Sequence, residues 1–410
     1  MRRIMFVLAF MIGICLSGEA KESGLKLIPV YEKTFEDTIV DVIFDTVTVT
    51  LEEAKAMGWK EEAFSEEEKA KGESQIFYER VVVLKKGKKK EVLFYGSNGK
   101  IKKSKLTGDY AEVVISQNER YIGITTPTKW YRGEHESRFE MYDVDGNLLW
   151  QMEGLGTGPY IPSPDGRLAV GEPSIEVENA PIEIWNKKGL VKKIEKEFSG
   201  FWLSFSQDGT YMGIGIPLDY DTPKGKLIVF DKGLKTLEED TTLAIFGDVD
   251  GGQYISFSSR KKYIVYPVIY GGIKILDLFN KSSSYINFTS KGRGNSKFYF
   301  DKNDQHLLVG YADGTCCLIN LKGGEKQWEY IVNRKSRGTI LTDENLNNVL
   351  IAVYPNEFCF LNSKGNVIMI QKIENINFPY IPKLNMSSDK SKIILLSKQK
   401  SVKCFKLKRR

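Results

Sequence analysis

Residues 163–190 read SPDGRLAVGEPSIEVENAPIEIWNKKGL. A polar turn opens the stretch at Ser163, and an apolar run, Leu168–Gly171, follows it. After a polar loop comes a second alternating run, Ile182–Asn186, closed by Asn186 and followed by a turn at Gly189. Alternation of this kind is the signature of half-buried β-strands. The unit recurs. Equivalent turns begin at Ser116, Ser163, Ser206, Ser258, Asp301, Asp343 and Ser388, a period of roughly 44 residues of the size expected for one propeller blade. Two positions before each closing polar residue stand Met141, Ile184, Val229, Ile275, Leu318, Phe360 and Phe405, an apolar column fit for packing between repeats. In the last copy Leu407 takes the place of the closing Asp or Asn.

A four-stranded sheet cannot cover both of its faces, so such units bury one another by stacking around an axis. The sequence therefore predicts an all-β chain: a single β-propeller of four-stranded antiparallel blades with a short helical insertion. Seven copies are clear. With strands lettered A to D from the axis outward, each Gly turn (Gly146, Gly189, Gly233, Gly324, Gly365) is read as joining D of one blade to A of the next. Glu91–Tyr95 and Ile101–Leu106, around the SNG turn at 97–99, repeat that pattern, and Ile76–Leu84 precedes them. They indicate an eighth blade whose inner strands are Thr38–Phe44 and Thr46–Thr50. Between the halves lie two capping boxes, Thr50 with Glu53 and Ser65 with Glu68, which predict helix starts. Trp59 and Phe64 in that insertion are expected to pack on the ring. The chain divides into a signal peptide (1–20), N-terminal strands with the helical insertion closing the ring (21–73), and the propeller (74–410).

Of the 410 residues 41% are hydrophobic and 12% aromatic, enough for a large strand-rich core. The net charge of +6 is mild, and no concentrated basic face argues for nucleic acid. Two histidines leave little material for His-based chemistry. At the N-terminus, Arg2 and Arg3 precede an apolar run from Ile4 to Leu16 that is shorter than the roughly 20 residues of a spanning helix. This reads as a secretory signal with Gly18 and Ala20 at its cleavage site. Export, periplasmic or secreted, follows. The alternative is a lipoprotein attached to a membrane through a lipidated Cys15, although Ile14 stands where that pattern wants a small residue.

SPDGRLAVG at 163–171 resembles the turn-and-strand signature of WD-repeat and Tol-translocation-type propellers. YDVDGNLLWQ at 142–151 and GYADGTCCLINLKGGEKQWEY at 310–330 resemble the repeat of quinoprotein-like (PQQ-like) propellers. The resemblance implies architecture, since each family holds enzymes, scaffolds and binders. Trp150 and Trp328 match the repeat's tryptophan, which implies a packing role.

Candidate sites come from departures from the repeat. Three successive copies carry long loops, 126–137, 171–181 and 217–225, on one face, where long loops on a rigid ring usually carry function. They hold Trp130, Tyr131, Arg132 and His135, then Glu176, then Tyr220; a Trp-Tyr-Arg run has the composition of a binding hot spot. Aromatics at strand starts, Tyr160, Trp202 and Tyr254, and cations in later copies, Arg293, Arg334 and Arg337, are read as framing the central mouth on the same face. Lys85–Lys90 reads as a hairpin turn. Cys317, Cys359 and Cys404 are read as one column on successive outer strands, too far apart for disulfides. DVDGN at 143–147 lacks the Glu of a calcium loop and reads as a turn. No catalytic, cofactor or metal-ligand set is assigned. The expected function is an exported, monomeric, non-enzymatic propeller binding a protein, peptide or glycan at its loop-rich face. The alternatives are an enzyme in the central mouth, quinoprotein-like oxidoreductase or lyase, and a structural envelope scaffold.

Overall fold

The computed structural model describes residues 25–131, 134–156, 158–172, 180–198, 200–219, 222, 224–244, 255–268, 272–286, 296–311, 315–332, 338–343, 345–353, 357–372, 384–386, 392–397 and 400–409. The strands form eight four-stranded antiparallel sheets, the blades of one propeller. Blade 1 is Ile39–Thr50, Glu73–Lys86, Lys89–Tyr95 and Ile101–Leu106. Six blades of four consecutive strands follow, so the copy opening at Ser116 is blade 2. Blade 8 takes Leu384–Met386, Lys392–Ser397 and Ser401–Arg409 from the C-terminus, and its outermost strand is Leu25–Thr34 from the N-terminus. That antiparallel pairing runs from Leu25↔Arg409 to Thr34↔Ser401 and closes the ring. Of the two strand segments expected inside blade 1, Thr38–Phe44 and Thr46–Thr50 prove to be one strand.

The phase of the repeat also differs from the expectation. Each Gly turn joins the third and fourth strands of the same blade, as Tyr142↔Leu148 across Gly146 shows. A short turn at positive φ (Gly146, +73°) makes a hairpin within a sheet. The link between blades must instead cross from the periphery back to the axis, and the first strands mark that axis: Tyr160–Pro162 lies against Glu112–Ile115, and Trp202–Phe205 against Ser256–Phe257. Strand A is therefore the one before each Ser or Asp turn. Because strand direction alternates, A–B and C–D turns share one end of the ring, the turn face. B–C and D–A segments share the other, the loop face.

The A–B turns explain the Ser/Asp column. Ser163 Oγ accepts from the Leu168 amide at 2.9 Å, Ser206 Oγ from Tyr211 at 2.9 Å, and Ser258 Oγ from Tyr263 at 3.0 Å. In later blades a carboxylate does the same work, Asp301 Oδ1 accepting from Gln305 at 2.7 Å. Three residues into each turn the backbone is left-handed, at Glu119, Gly166, Gly209, Lys261, Asp304 and Leu346. Glycine, which favours that conformation, occupies only two of these positions, so the side-chain bonds and neighbouring blades hold the rest. The closing Asp or Asn repeats the device: Asp143 Oδ1 accepts from Asp145 (2.9 Å) and Asn147 (2.8 Å). DVDGN is thus a self-satisfied hairpin turn.

The core is distributed over eight apolar clusters, one at each blade interface. Met141, Ile184, Val229, Ile275, Leu318 and Phe360 each face the following blade and are buried. The two column tryptophans dock blade on blade: Trp150 Nε1 donates to the Gly166 carbonyl and Trp328 Nε1 to that of Ser363, both at 2.9 Å. Blade 8 slips by one residue. Phe405 packs back on blade 7, and Cys404 faces blade 1. Lys392, opposite Lys406, occupies the place Asn348 holds opposite Asn362. This register puts Lys406 in place of the closing Asp or Asn, and the turn expected at Ser388 lies outside the described residues. No Gly turn follows in this blade, so no capping carboxylate is needed, and Lys406 Nζ donates to the Ala63 carbonyl. The three cysteines therefore do not form one column: Cys317 and Cys359 face the preceding blade, Cys404 the next. Cys316, Cys317, Cys359 and Cys404 are free and buried. Burial pushes the Cys317 thiol up to about 12 and that of Cys359 to about 11, so neither is a ready nucleophile.

The helical insertion replaces the A–B turn of blade 1. Both capping boxes form, over Leu51–Ala56 and Glu66–Lys71. Trp59 and Phe64 are buried against the ring, with Trp59 stacked on Tyr31 at 5.1 Å. The interface of blades 8 and 1 is also polar. Lys392, 1% exposed, donates to Glu68 Oε1 (2.9 Å) and the Gln75 carbonyl (2.9 Å). Glu79 takes Lys33 Nζ at 3.0 Å and the Tyr31 hydroxyl at 2.9 Å.

Candidate functional sites on the two faces

On the loop face the B–C connections shorten around the ring. Blades 1 and 6–8 turn within 87–88, 312–315, 354–356 and 398–400, whereas blade 3 takes 172–181 and blade 4 takes 218–223. Blade 2 differs in kind. Where a long loop over 126–137 was expected, strands Tyr121–Tyr131 and Glu134–Asp143 stay paired through Thr126↔Arg138, Trp130↔His135 and Tyr131↔Glu134. The connection is a projecting β-ribbon, paired as far as Tyr131↔Glu134. Alternation of strand residues extends the pattern past the ring, so no loop is needed. Lys129 Nζ and Glu136 Oε2 pair at 3.0 Å at its neck. Of the expected rim residues, Trp130, Tyr131 and His135 stand on this ribbon. Arg132, Glu176 and Tyr220 lie outside the described residues.

The ribbon rises from a braced base. Gly108, in the segment entering blade 2, passes so close that an added Cβ would meet Thr126 Cγ2 at 2.5 Å. The next segment does the same at Gly158, where a Cβ would lie 1.8 Å from the Glu172 carbonyl oxygen. Glu172 and Lys196 form a buried ion pair at 2.8 Å, with Lys196 also donating to the Phe198 carbonyl and the Gly200 amide to Glu172 Oε2. Glu172, directly after the second strand of blade 3, is thus tied to the segment that leaves the blade. The basic hairpin 85–90 is structural as well: Lys90 Nζ donates to the Ala111 carbonyl (2.6 Å) and Glu112 (2.8 Å), and Lys88 lies over the exposed Tyr110 ring.

The residues expected at the loop-face mouth are only partly described. Tyr160 is fully buried between blades 2 and 3, edge-on to Phe139, its hydroxyl donating to Glu183 Oε2 at 3.2 Å. Burial and the Glu183 charge raise its pKa. Trp202 is half-buried against the core between blades 4 and 5. Tyr254, Arg293, Arg334 and Arg337 lie outside the described residues. One described cation does stand at this end of the axis: Lys297, on the first strand of blade 6, reaches Thr339 Oγ1 at 3.4 Å. Desolvation lowers its pKa.

A cavity of about 340 Å³ opens on the turn face, where the A–B turns ring the axis. Gln117, Asn118, Gln207 and Ser259 stand at its rim, and Phe205, Phe257, Phe298 and Phe300 line it. Gln117 reaches from blade 2 to blade 4 and accepts the Phe205 amide at 2.8 Å. The sequence reading placed the mouth only at the opposite end. The signal available was the residue after each turn Ser (Gln117, Gln207, Ser259), which varies because it faces the axis instead of its own turn.

No family model matches the chain, and no curated protein matches it in sequence. Among solved structures there is a match over the whole ring. The chain is similar in structure to BamB from Moraxella catarrhalis. The match covers 93% of this chain and 100% of the BamB chain, with a TM-score of 0.54 and 13% sequence identity. BamB is a PQQ-like propeller, so the repeat-level resemblance holds for the architecture. At this identity the likeness to BamB establishes the fold alone.

Proposed function

We propose that this chain is an exported, non-enzymatic propeller that captures a protein or peptide partner at its loop face. The observation that carries the reading is the blade 2 ribbon. It brings Trp130 and His135 opposite one another and pairs Tyr131 with Glu134. Aromatic and guanidinium side chains on a stiff support lose little entropy on binding, which makes such a tip an effective anchor. The blade 3 and blade 4 connections holding Glu176 and Tyr220 follow the ribbon around the rim and would extend the contact. Export rests on the N-terminal segment, with cleavage after Ala20; the mass of the mature protein separates this from lipidation at Cys15.

The combined variant Trp130→Ala, Tyr131→Ala and Arg132→Ala tests the reading. Partner capture from envelope extract is expected to be lost, with thermal unfolding unchanged. Capture of the same partners by the variant and the parent protein would refute it.

A further inference from the structure

We propose that the turn-face cavity is a second binding site, one that takes a neutral saccharide unit. It lies at the other end of the axis from the rim and does not depend on the rim's function. Its polar rim is built from amides and hydroxyls, with no lysine, arginine or histidine among the described residues lining it. Its single charged lining residue, Asp343, has both carboxylate oxygens occupied by its own turn, through Asn345, Asn347 and Asn348. An anionic or cationic ligand would find no partner of opposite charge free to receive it.

Unused hydrogen-bonding capacity points into the same space. Ser256 is 7% exposed, and its hydroxyl has no hydrogen-bond partner among the described residues. The hydroxyl is not among the sealed, unpaired side-chain atoms of the described residues, so it is open to water or a ligand in the cavity. Gln207 and Ser259, on the rim, likewise have no partner among the described residues, and Gln117 uses its carbonyl oxygen but not its amide hydrogens. These groups share the cavity with Phe300, which is half-buried, whereas Phe205, 2% exposed, is packed in the core between blades 3 and 4. A sugar ring has the matching chemistry, with hydroxyls at its edge and an apolar C–H face to lie on an aromatic ring. The volume suits one or two pyranose units and falls at the small end for ligand pockets.

The test is calorimetric titration of the full chain with maltose, with N,N′-diacetylchitobiose and with an anionic uronate disaccharide, each to roughly 10 mM, a range that detects millimolar affinity. Binding of the neutral sugars is expected, with none for the uronate. Gln207→Ala, an exposed position whose loss leaves the fold intact, should weaken binding about tenfold, the scale of one lost hydrogen bond. Co-sedimentation with particulate chitin distinguishes the end of a polymer from a free sugar as the source. Absence of heat with both neutral disaccharides, or affinity unchanged in Gln207→Ala, would overturn the proposal, as would preference for the uronate.

Discussion

The two faces of the ring are made by different rules. On the turn face each A–B turn closes on its own Ser or Asp and each C–D turn on its own Asp or Asn, so blades 2 to 7 look alike there whatever their intervening residues. The loop face has no such device. Its connections range from the two-residue turn of blade 1 to the ribbon of blade 2, and they are held by contacts that occur once: Gly108 on Thr126, Gly158 on the Glu172 carbonyl, Lys196 on Glu172. Local, repeated bonds build a ring whose geometry survives sequence drift. Unique contacts appear where one part of the ring must differ from the others, and that is where a specific partner is best recognised.

The contrast can be broken most severely at Lys196. Lys196→Met leaves the Glu172 carboxylate buried without its cation, and stability should fall by about 3–5 kcal/mol in chemical denaturation. Adding Glu172→Gln should restore much of that loss, since the unpaired charge is then gone. An equal loss in the double variant would mean that the pair holds the loops by geometry instead of charge. The turn face should respond more mildly and uniformly. Ser163→Ala and Ser206→Ala each strand one amide at a buried turn, costing about 1–3 kcal/mol, and the two costs should agree within about 0.5 kcal/mol if the turns are interchangeable. Widely different values would show that the turns are not equivalent.

The smallest effect belongs to blade 1, where the turn face departs from its rule. Burial alone would raise the Glu68 carboxyl, but the Ser74 hydroxyl, the Ser65 amide and Lys392 outweigh it and hold the pKa at about 2. A carboxylate depressed in this way stabilises the fold above its ordinary value near 4.5 and loses that contribution as pH falls through about 2. Glu68→Gln should therefore lower the melting temperature slightly at neutral pH, with the gap to the parent protein closing between those two values. A gap that does not change with pH would assign the effect to packing.

Much of this could be read in the sequence, because period and turn chemistry are local signals. The Ser/Asp column, the apolar column and the capping boxes each fix a strand, a turn or a helix start within a few residues. What escaped was non-local. Leu25–Thr34 shows no repeat of its own, and its place as the outer strand of blade 8 depends on partners at the far end of the chain. The phase of the blade escaped as well, since a sequence gives strand order but not which strand lies at the axis. The one-residue slip of blade 8 escaped because Phe405 fits the apolar column in sequence. Of the candidate site, composition showed Trp130, Tyr131 and Arg132 as unusual, but the alternation that makes their support a ribbon was masked by Pro127 and by the shift in register between Pro127 and Lys129.

The central claim, that the ribbon tip is the recognition element, is tested most directly by photo-crosslinking. A photoreactive phenylalanine analogue is introduced separately at position 131 on the ribbon, at 207 on the turn face and at 102 on the outer strand of blade 1, and each protein is irradiated in envelope extract. A discrete protein adduct at position 131 alone is the predicted result. An adduct of equal yield at 207 or 102, or none at 131, would contradict the account.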